Sequence, residues 1–185
     1  MSTKRLRSIV RIGSMLGGSF RRYKMQEIYF QELVKGFYPR KGNVHDAGFD
    51  LRVFRVLPAN HPDPTDYSSE EDKTYIKTYI IQPGETVKLD CACRIVVPQG
   101  VCGLVVPRSS WRRKGLVAMS IFDPGYLLPW TPFATNCYSD VIHISSGERV
   151  LQVLFVPLFY GGTLNVTKLP DYLYDRGGGA GSTGK

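Results

Sequence analysis

The sequence predicts an all-β domain, on three observations. Short runs rich in Val, Ile, Tyr and Phe recur along the 185 residues, the composition that suits a pleated, half-buried surface. Glycine and proline punctuate these runs at regular spacing. No long stretch carries the apolar repeat of an amphipathic helix. Many short strands joined by tight turns point to a sandwich, jelly roll or barrel, architectures that close or cover their sheet edges.

Taken in order, strands are expected at 27–34 and 49–54, with Pro39-Arg-Lys-Gly42 as the turn signal between them. Strands 75–81 and 86–90 flank Gln82-Pro-Gly84, and 92–97 and 101–106 flank Pro98-Gln-Gly100. The run 116–121 precedes Pro124-Gly125, while 140–144 and 149–157 flank Ser146-Gly147. A last strand, 163–168, follows Gly161-Gly162. Residues 56–74 break the pattern: they are polar and Pro-rich, from His61-Pro-Asp-Pro-Thr-Asp66 to Ser68-Ser-Glu-Glu-Asp72. They are expected to form a surface insertion between strands.

Composition bounds the partners. Hydrophobic residues make up 43% and charged residues 22% of the chain, enough for one domain with a core. No run approaches the roughly 20 apolar residues of a membrane span, so no membrane partner is expected. The net charge of +8 is concentrated in residues 1–26, which hold seven basic side chains and no acidic one. A basic extension over 1–25 can touch nucleic acid or an anionic surface. With few aromatics to interleave with bases, a solvated leader is the preferred reading. Cys91, Cys93, Cys102 and Cys137 read as reduced thiols of a cytoplasmic, intracellular protein. Cys-x-Cys is not a common zinc spacing.

Six pieces carry the chemistry. Asp46-Ala-Gly-Phe-Asp-Leu51 opens an early strand, where Gly48 is expected to turn the backbone and aim Asp50. Val105-Val-Pro-Arg-Ser-Ser110 ends an apolar strand with a guanidinium and two hydroxyls, Arg108, Ser109 and Ser110, donors suited to phosphate. Phe122-Asp-Pro-Gly-Tyr126 sets Asp123 before a tight turn and Tyr126 just after it, and Asn136 closes the following segment. Gly147-Glu-Arg-Val-Leu-Gln-Val-Leu-Phe155 is an apolar strand interrupted by Gln152, an amide that needs a partner. Finally, Arg176-Gly-Gly-Gly-Ala-Gly-Ser-Thr-Gly-Lys185 holds five glycines in ten residues. It has too few side chains to build a core, but it offers approachable N–H groups beside Arg176, Ser182 and Thr183.

In this order the pieces resemble the five motifs of the trimeric dUTP diphosphatase (dUTPase) family, from about Gln26 to Lys185. The connecting segments Ile81-Gln-Pro-Gly-Glu-Thr-Val87 and Val97-Pro-Gln-Gly-Val101 are also typical of it. The resemblance implies a dUTPase-like jelly roll or distorted β-barrel over 26–170. It implies a homotrimer with active sites between subunits and a C-terminal arm, 171–185, exchanged with a neighbour. It implies hydrolysis of dUTP to dUMP and pyrophosphate with Mg2+. By the same resemblance, Asp123 would activate the water that attacks the α-phosphorus, and Tyr126 would lie against the deoxyribose. Arg108, Ser109, Ser110 and Gln152 would hold phosphate oxygens, and Arg176, Gly181, Ser182 and Thr183 would close over the far phosphates. Asp50 would steady magnesium through its waters.

Three departures bear on specificity. Ala180 stands where the family's arm usually carries an aromatic that stacks on uracil, a contact of about 1–3 kcal/mol. The hairpin between Arg108 and Asp123, whose backbone normally reads the uracil edge, is shorter than usual. Tyr126 is followed by Leu127-Leu128-Pro129-Trp130 in place of a nearby glycine, an apolar run expected to face a neighbouring subunit or reshape the pocket mouth. The related dCTP deaminases share the look of Arg108-Ser-Ser-Trp-Arg-Arg-Lys-Gly-Leu116 and Asp123-Pro-Gly125. Deamination needs a glutamate shortly before the asparagine, and Thr131-Pro-Phe-Ala-Thr-Asn136 has none, with Phe133 in its place. The other readings are a non-catalytic, nucleotide-binding regulator and a pyrophosphatase with relaxed base choice.

Overall fold

Alternation of apolar and polar residues, more than any single motif, decides the architecture. In a computed structural model that describes residues 27–67 and 78–159, the expected strands form wherever one face can be buried. The strands are β1 (Tyr29–Glu32), β2 (Phe49–Arg52), β3 (Arg55–Pro58), β4 (Thr78–Ile81), β5 (Thr86–Asp90), β6 (Cys93–Val96), β7 (Val101–Pro107), β8 (Leu116–Ala118), β9 (Ser120–Phe122), β10 (Phe133–Asn136), β11 (Ile142–Ser145) and β12 (Arg149–Pro157). The described helix is a single turn, α1 (Ser109–Arg112).

Two four-stranded antiparallel sheets, ordered β2-β12-β7-β9 and β3-β5-β10-β8, and two pairs, β1-β6 and β11-β4, make an all-β jelly roll. Leu51, Val53, Ile81, Leu89, Ile95, Val105, Leu116, Ile144, Leu151 and Val153 meet in one core. In β5, Val87 and Leu89 alternate with more exposed neighbours and face this core.

Three expectations are corrected. The 56–74 stretch begins in sheet, because Val56, Leu57 and Pro58 continue β3 along β5, with Pro58 opposite Val87 at the strand's end. Phe133–Asn136 is a strand between β5 and β8, although it had been read only as a segment leading to Asn136. The run 116–121 is two strands in two different sheets: β8 pairs with β10 and β9 with β7. One residue, exposed Met119, joins them. A hairpin needs at least a two-residue turn, so this link crosses between sheets instead of folding back. The strand expected at 163–168 lies outside the described residues.

Trp130 explains the packing beside this crossover. The ring is fully buried and stacks on Phe122 at 3.9 Å between centroids. Gly103, opposite Phe122 in the ladder, makes room for it, since a Cβ there would lie 2.3 Å from the indole. Gly103→Ala should therefore lower stability by about 1–3 kcal/mol, the cost of overpacking a filled core. A thermal or urea unfolding curve checks this. The apolar run after Tyr126 divides accordingly: Trp130 turns into the core, while Leu127 and Leu128 stay exposed.

Candidate functional site

The sheet β2-β12-β7-β9 carries most of the expected site residues, but at two ends. At one end, β2 and β7 flank β12, so that Gln152 lies between Asp50 and Val106. Arg108 follows the last residue of β7, and its backbone N–H donates to the Val150 carbonyl at 2.9 Å. The Arg108 Nε meets Asp50 Oδ1 at 3.0 Å, and Arg149 Nη1 meets Asp50 Oδ2 at 3.2 Å. The Arg149 carbonyl in turn accepts from Trp111 Nε1 at 3.1 Å and from Arg108 Nη1 at 3.3 Å. One carboxylate thus braces two guanidiniums, which leaves a net positive set suited to phosphate. Ser109 and Ser110 open α1 beside it, both exposed.

Gly48 serves this end differently from expectation. Its φ is not left-handed, so no tight turn requires it. A Cβ would lie 2.8 Å from the Val153 carbonyl and 3.4 Å from Gln152 Oε1. Close approach of the chain to β12, at the level of Gln152, is what demands glycine.

At the other end, Asp123 follows β9. Ser120 pairs with Val105 and Phe122 with Gly103, so Asp123 lies level with the start of β7 while Arg108 lies beyond its end. At about 3.3 Å per residue, the stretch from Gly103 to Arg108 alone spans about 17 Å. Within one chain, Asp123 and Arg108 are not neighbours. The Asp123 carbonyl accepts from Tyr126 N at 3.2 Å, and Gly125 N donates to Val97 O at 3.1 Å. Gly125 takes the left-handed φ of +79° that the turn needs. This leaves the Asp123 side chain exposed.

A cleft of about 440 Å³ opens beside Asp123 and Tyr126. The Tyr126 ring sets its edge against Phe122, at 5.3 Å between centroids. Its far wall was not legible in the sequence. Asp63 Oδ1 accepts from Lys88 Nζ at 2.7 Å and from Thr131 Oγ1 at 2.9 Å, and Tyr126 lines the same cleft. Burial pushes Asp63 up, but the bonds from Lys88 and Thr131 and the Lys88 charge outweigh it and hold the carboxyl below its usual range. Burial first, and then the charge of Asp63, raises the Tyr126 phenol. No signal in a Pro-rich polar stretch distinguished Asp63 from its neighbours.

Asn136 belongs to neither end. Fully buried, it donates to the Ile81 carbonyl at 3.1 Å and the Asp140 carbonyl at 2.8 Å, and accepts from Tyr138 N at 3.1 Å. Those bonds fasten the turn before β11, so Asn136 is structural. Phe133 is half-exposed at the cleft, with the Lys88 ammonium 5.3 Å from its ring centroid. Arg176, Gly181, Ser182 and Thr183 lie outside the described residues.

The fit of a metal follows from these donors. Among the described residues no three His, Cys, Asp or Glu side chains cluster. Both oxygens of Asp50 already carry guanidinium partners. The described residues therefore do not make a resident magnesium site, and Asp50 acts on the two arginines. No described helix is long and apolar enough to cross a membrane.

A family model described as dCTP deaminase-like matches residues 26–158. The deoxyuridine 5′-triphosphate nucleotidohydrolase of Methanocaldococcus jannaschii is 31% identical over 123 residues, covering 61% of this chain and 78% of that one. The mitochondrial deoxyuridine 5′-triphosphate nucleotidohydrolase of Homo sapiens is 28% identical over 150 residues, covering 80% of this chain and 50% of that one. Among solved structures, a Staphylococcus bacteriophage 80alpha dUTPase with dUpNHpp superposes with a TM-score of 0.65 at 19% identity, covering 86% of this chain and 99% of that one. A dUTPase of S. aureus phage phi11, described with a structural Mg(II) ion, superposes at 0.59 and 16% identity, covering 78% and 99%. At these identities the two structures show the fold. The family match and the sequence relatives place this chain in the dUTPase family, within the dCTP deaminase-like group of proteins.

Proposed function

We propose that the chain hydrolyses dUTP to dUMP and pyrophosphate, at sites assembled from two or more copies of itself. The supporting observation is the division of the site along β7. The Asp123 and Tyr126 cleft has a carboxylate and an aromatic wall but no described arginine. The Arg108, Arg149 and Gln152 end has phosphate donors, and both oxygens of its central carboxylate, Asp50, are taken by guanidiniums. A triphosphate held by the second end of one copy, with its nucleoside in the first end of another, completes both. A homotrimer with an exchanged arm satisfies this requirement. In that arrangement Arg176, Gly181, Ser182 and Thr183 close over the β- and γ-phosphates from the C-terminal arm.

Phosphoryl transfer leaves the protein mainly positioning and charge stabilisation to do. Asp123, exposed at a rigid turn, orients the attacking water and takes its proton. Arg108, held at its Nε by Asp50, presents its remaining N–H groups to phosphate oxygens, with Ser109, Ser110 and Gln152 beside it. Tyr126 lies against the deoxyribose. Magnesium, when bound, neutralises phosphate charge; it fits this chain as an ion carried on the triphosphate with its own waters, not as one caged by carboxylates. The buried free thiols Cys91, Cys93 and Cys102 suit a reducing, cytoplasmic setting.

Deamination is disfavoured by the chemistry of the cleft. Asp63 is the acidic group that lines it besides Asp123. A proton shuttle works best with a pKa near the operating pH, whereas Asp63 is held below the carboxylate range. Pyrophosphate release from dUTP, dCTP, dTTP and UTP, with ammonia release from dCTP as a second readout, tests the reading. Pyrophosphate from dUTP with little from UTP supports it. Ammonia from dCTP, or no turnover of any nucleotide, overturns it.

A further inference from the structure

We infer that Asp63 and Lys88 read the edge of the base: the Asp63 carboxylate accepts the ring N–H of an imide such as uracil, and the Lys88 ammonium donates to the carbonyl beside it. This rests on the cleft being the nucleoside end of the dUTPase site proposed above.

The pair is charge that the proposed chemistry leaves unused. Both residues line the cleft with Asp123 and Tyr126, and they meet at 2.7 Å. Enclosing two charges costs desolvation, so stability alone is a poor reason for an ion pair in this wall. Its exposure is uneven: 30% of the Asp63 side chain is open, against 11% of Lys88. The bonds from Lys88 and Thr131 both fall on Oδ1, whereas an ionised carboxylate has about four acceptor sites and no proton to donate. Lys88 Nζ donates to Asp63 and, at 2.8 Å, to the His61 carbonyl. An ammonium has three N–H groups, one more than these bonds use. Half-exposed Phe133 pairs with Lys88 across β10 and β5, its ring centroid 5.3 Å from the ammonium. A flat apolar surface beside two opposite charges suits a base, whose face is apolar and whose edge is polar. β8 and β9 lie in different sheets and join through Met119. No hairpin turn on this side offers backbone groups to that edge, and side chains take the role.

The order of donor and acceptor commits the pair to an imide. Uracil carries its N3–H between two carbonyls, so the N–H meets the carboxylate and a neighbouring carbonyl meets the ammonium. Cytosine carries a bare ring nitrogen in the same place, and a carboxylate there faces a lone pair with no proton between them.

Binding of the nonhydrolysable α,β-imido analogues of dUTP, N3-methyl-dUTP and dCTP, measured by calorimetry with magnesium, tests this. In the intact chain N3-methylation should weaken binding by about ten- to hundredfold, the worth of a hydrogen bond to a charged group. The dCTP analogue should also bind less tightly than the dUTP analogue. In Asp63→Ala the methylation penalty should fall to about twofold, and Lys88→Met should weaken the dUTP analogue by about tenfold. Tyr67→Phe removes a different bond from the same 61–67 stretch, the one from the Tyr67 hydroxyl to Asp90 at 2.8 Å, and should leave the penalty unchanged. The penalty is a ratio within each protein, so a lowered folded fraction cancels from it. A penalty equal in the intact chain and Asp63→Ala, or lost as fully in Tyr67→Phe, would overturn the inference. Tighter binding of the dCTP analogue to the intact chain would do the same, and no binding of any analogue would overturn both readings. If the penalty behaves as expected while the intact chain hydrolyses no dUTP, the functional reading fails and the base contact stands.

Discussion

Asp123→Asn is expected to lower dUTP turnover by about 10²–10⁴-fold, the usual worth of a positioned general base, with no loss of stability. The reasoning is geometric. Asp123 sits at the exposed end of β9, and the turn after it is held by backbone bonds from Tyr126 to Asp123 O and from Gly125 to Val97 O. Asparagine keeps the shape of the side chain and all of those bonds, and loses only the capacity to take a proton. The variant should therefore melt with the parent and bind dUTP with similar affinity. Equal turnover by parent and variant would remove Asp123 from the chemistry and leave the turn as its only role.

Arg108→Ala should cost about 10²–10³-fold, as loss of a fixed donor to the reacting phosphates does. Arg108→Lys should recover little of it, because an ammonium cannot span a carboxylate and a phosphate in one plane. Here the fold contributes directly. Asp50 clamps the Arg108 Nε at 3.0 Å, so the other nitrogens project in a set direction. Arg149 stays on the second Asp50 oxygen, so the variant does not strand that carboxylate unpaired. The expected signature is a fall in kcat larger than the rise in KM, read in steady-state pyrophosphate release. A change in KM alone would mean that Arg108 helps binding without favouring the transition state.

How much of this was legible in the sequence differs by residue. β5, β7 and β12 announce themselves, because Val and Leu alternate with polar residues in β5, apolar residues run nearly unbroken through β7 and β12, and glycine-bearing turns precede all three. β10 was hidden: Phe133-Ala-Thr-Asn136 has one large apolar residue, and that one is half-exposed. Its strand conformation comes from partners on both sides, β5 and β8, a tertiary effect. The split of 116–122 at Met119 was equally hidden, since a continuous apolar run does not show which neighbour each half will pair with.

Among the proposed site residues, Arg108, Asp123 and Tyr126 stand out in the sequence because a turn or strand end follows or precedes each one. Gly48 was recognised for the wrong reason: glycine is marked in sequence, but close approach to β12 looks the same as a turn. Asn136, marked in the sequence only as the close of a motif, is a fastener, its amide bonded to Ile81, Asp140 and Tyr138. Asp63 gave no signal at all. It joins the cleft because Lys88 and Thr131 converge on it from two separate segments.

The most direct test of a site shared between copies is to co-express Asp123→Asn and Arg108→Ala chains in equal amounts and measure pyrophosphate release from dUTP, beside the intact chain and each variant alone. Where one copy supplies Arg108 and another Asp123, random mixing leaves about a quarter of the sites with both residues intact, so about a quarter of the parental activity should return from two inactive parts. Activity no greater than that of the separate variants, with the intact chain active, would contradict the account and place the whole site within one chain.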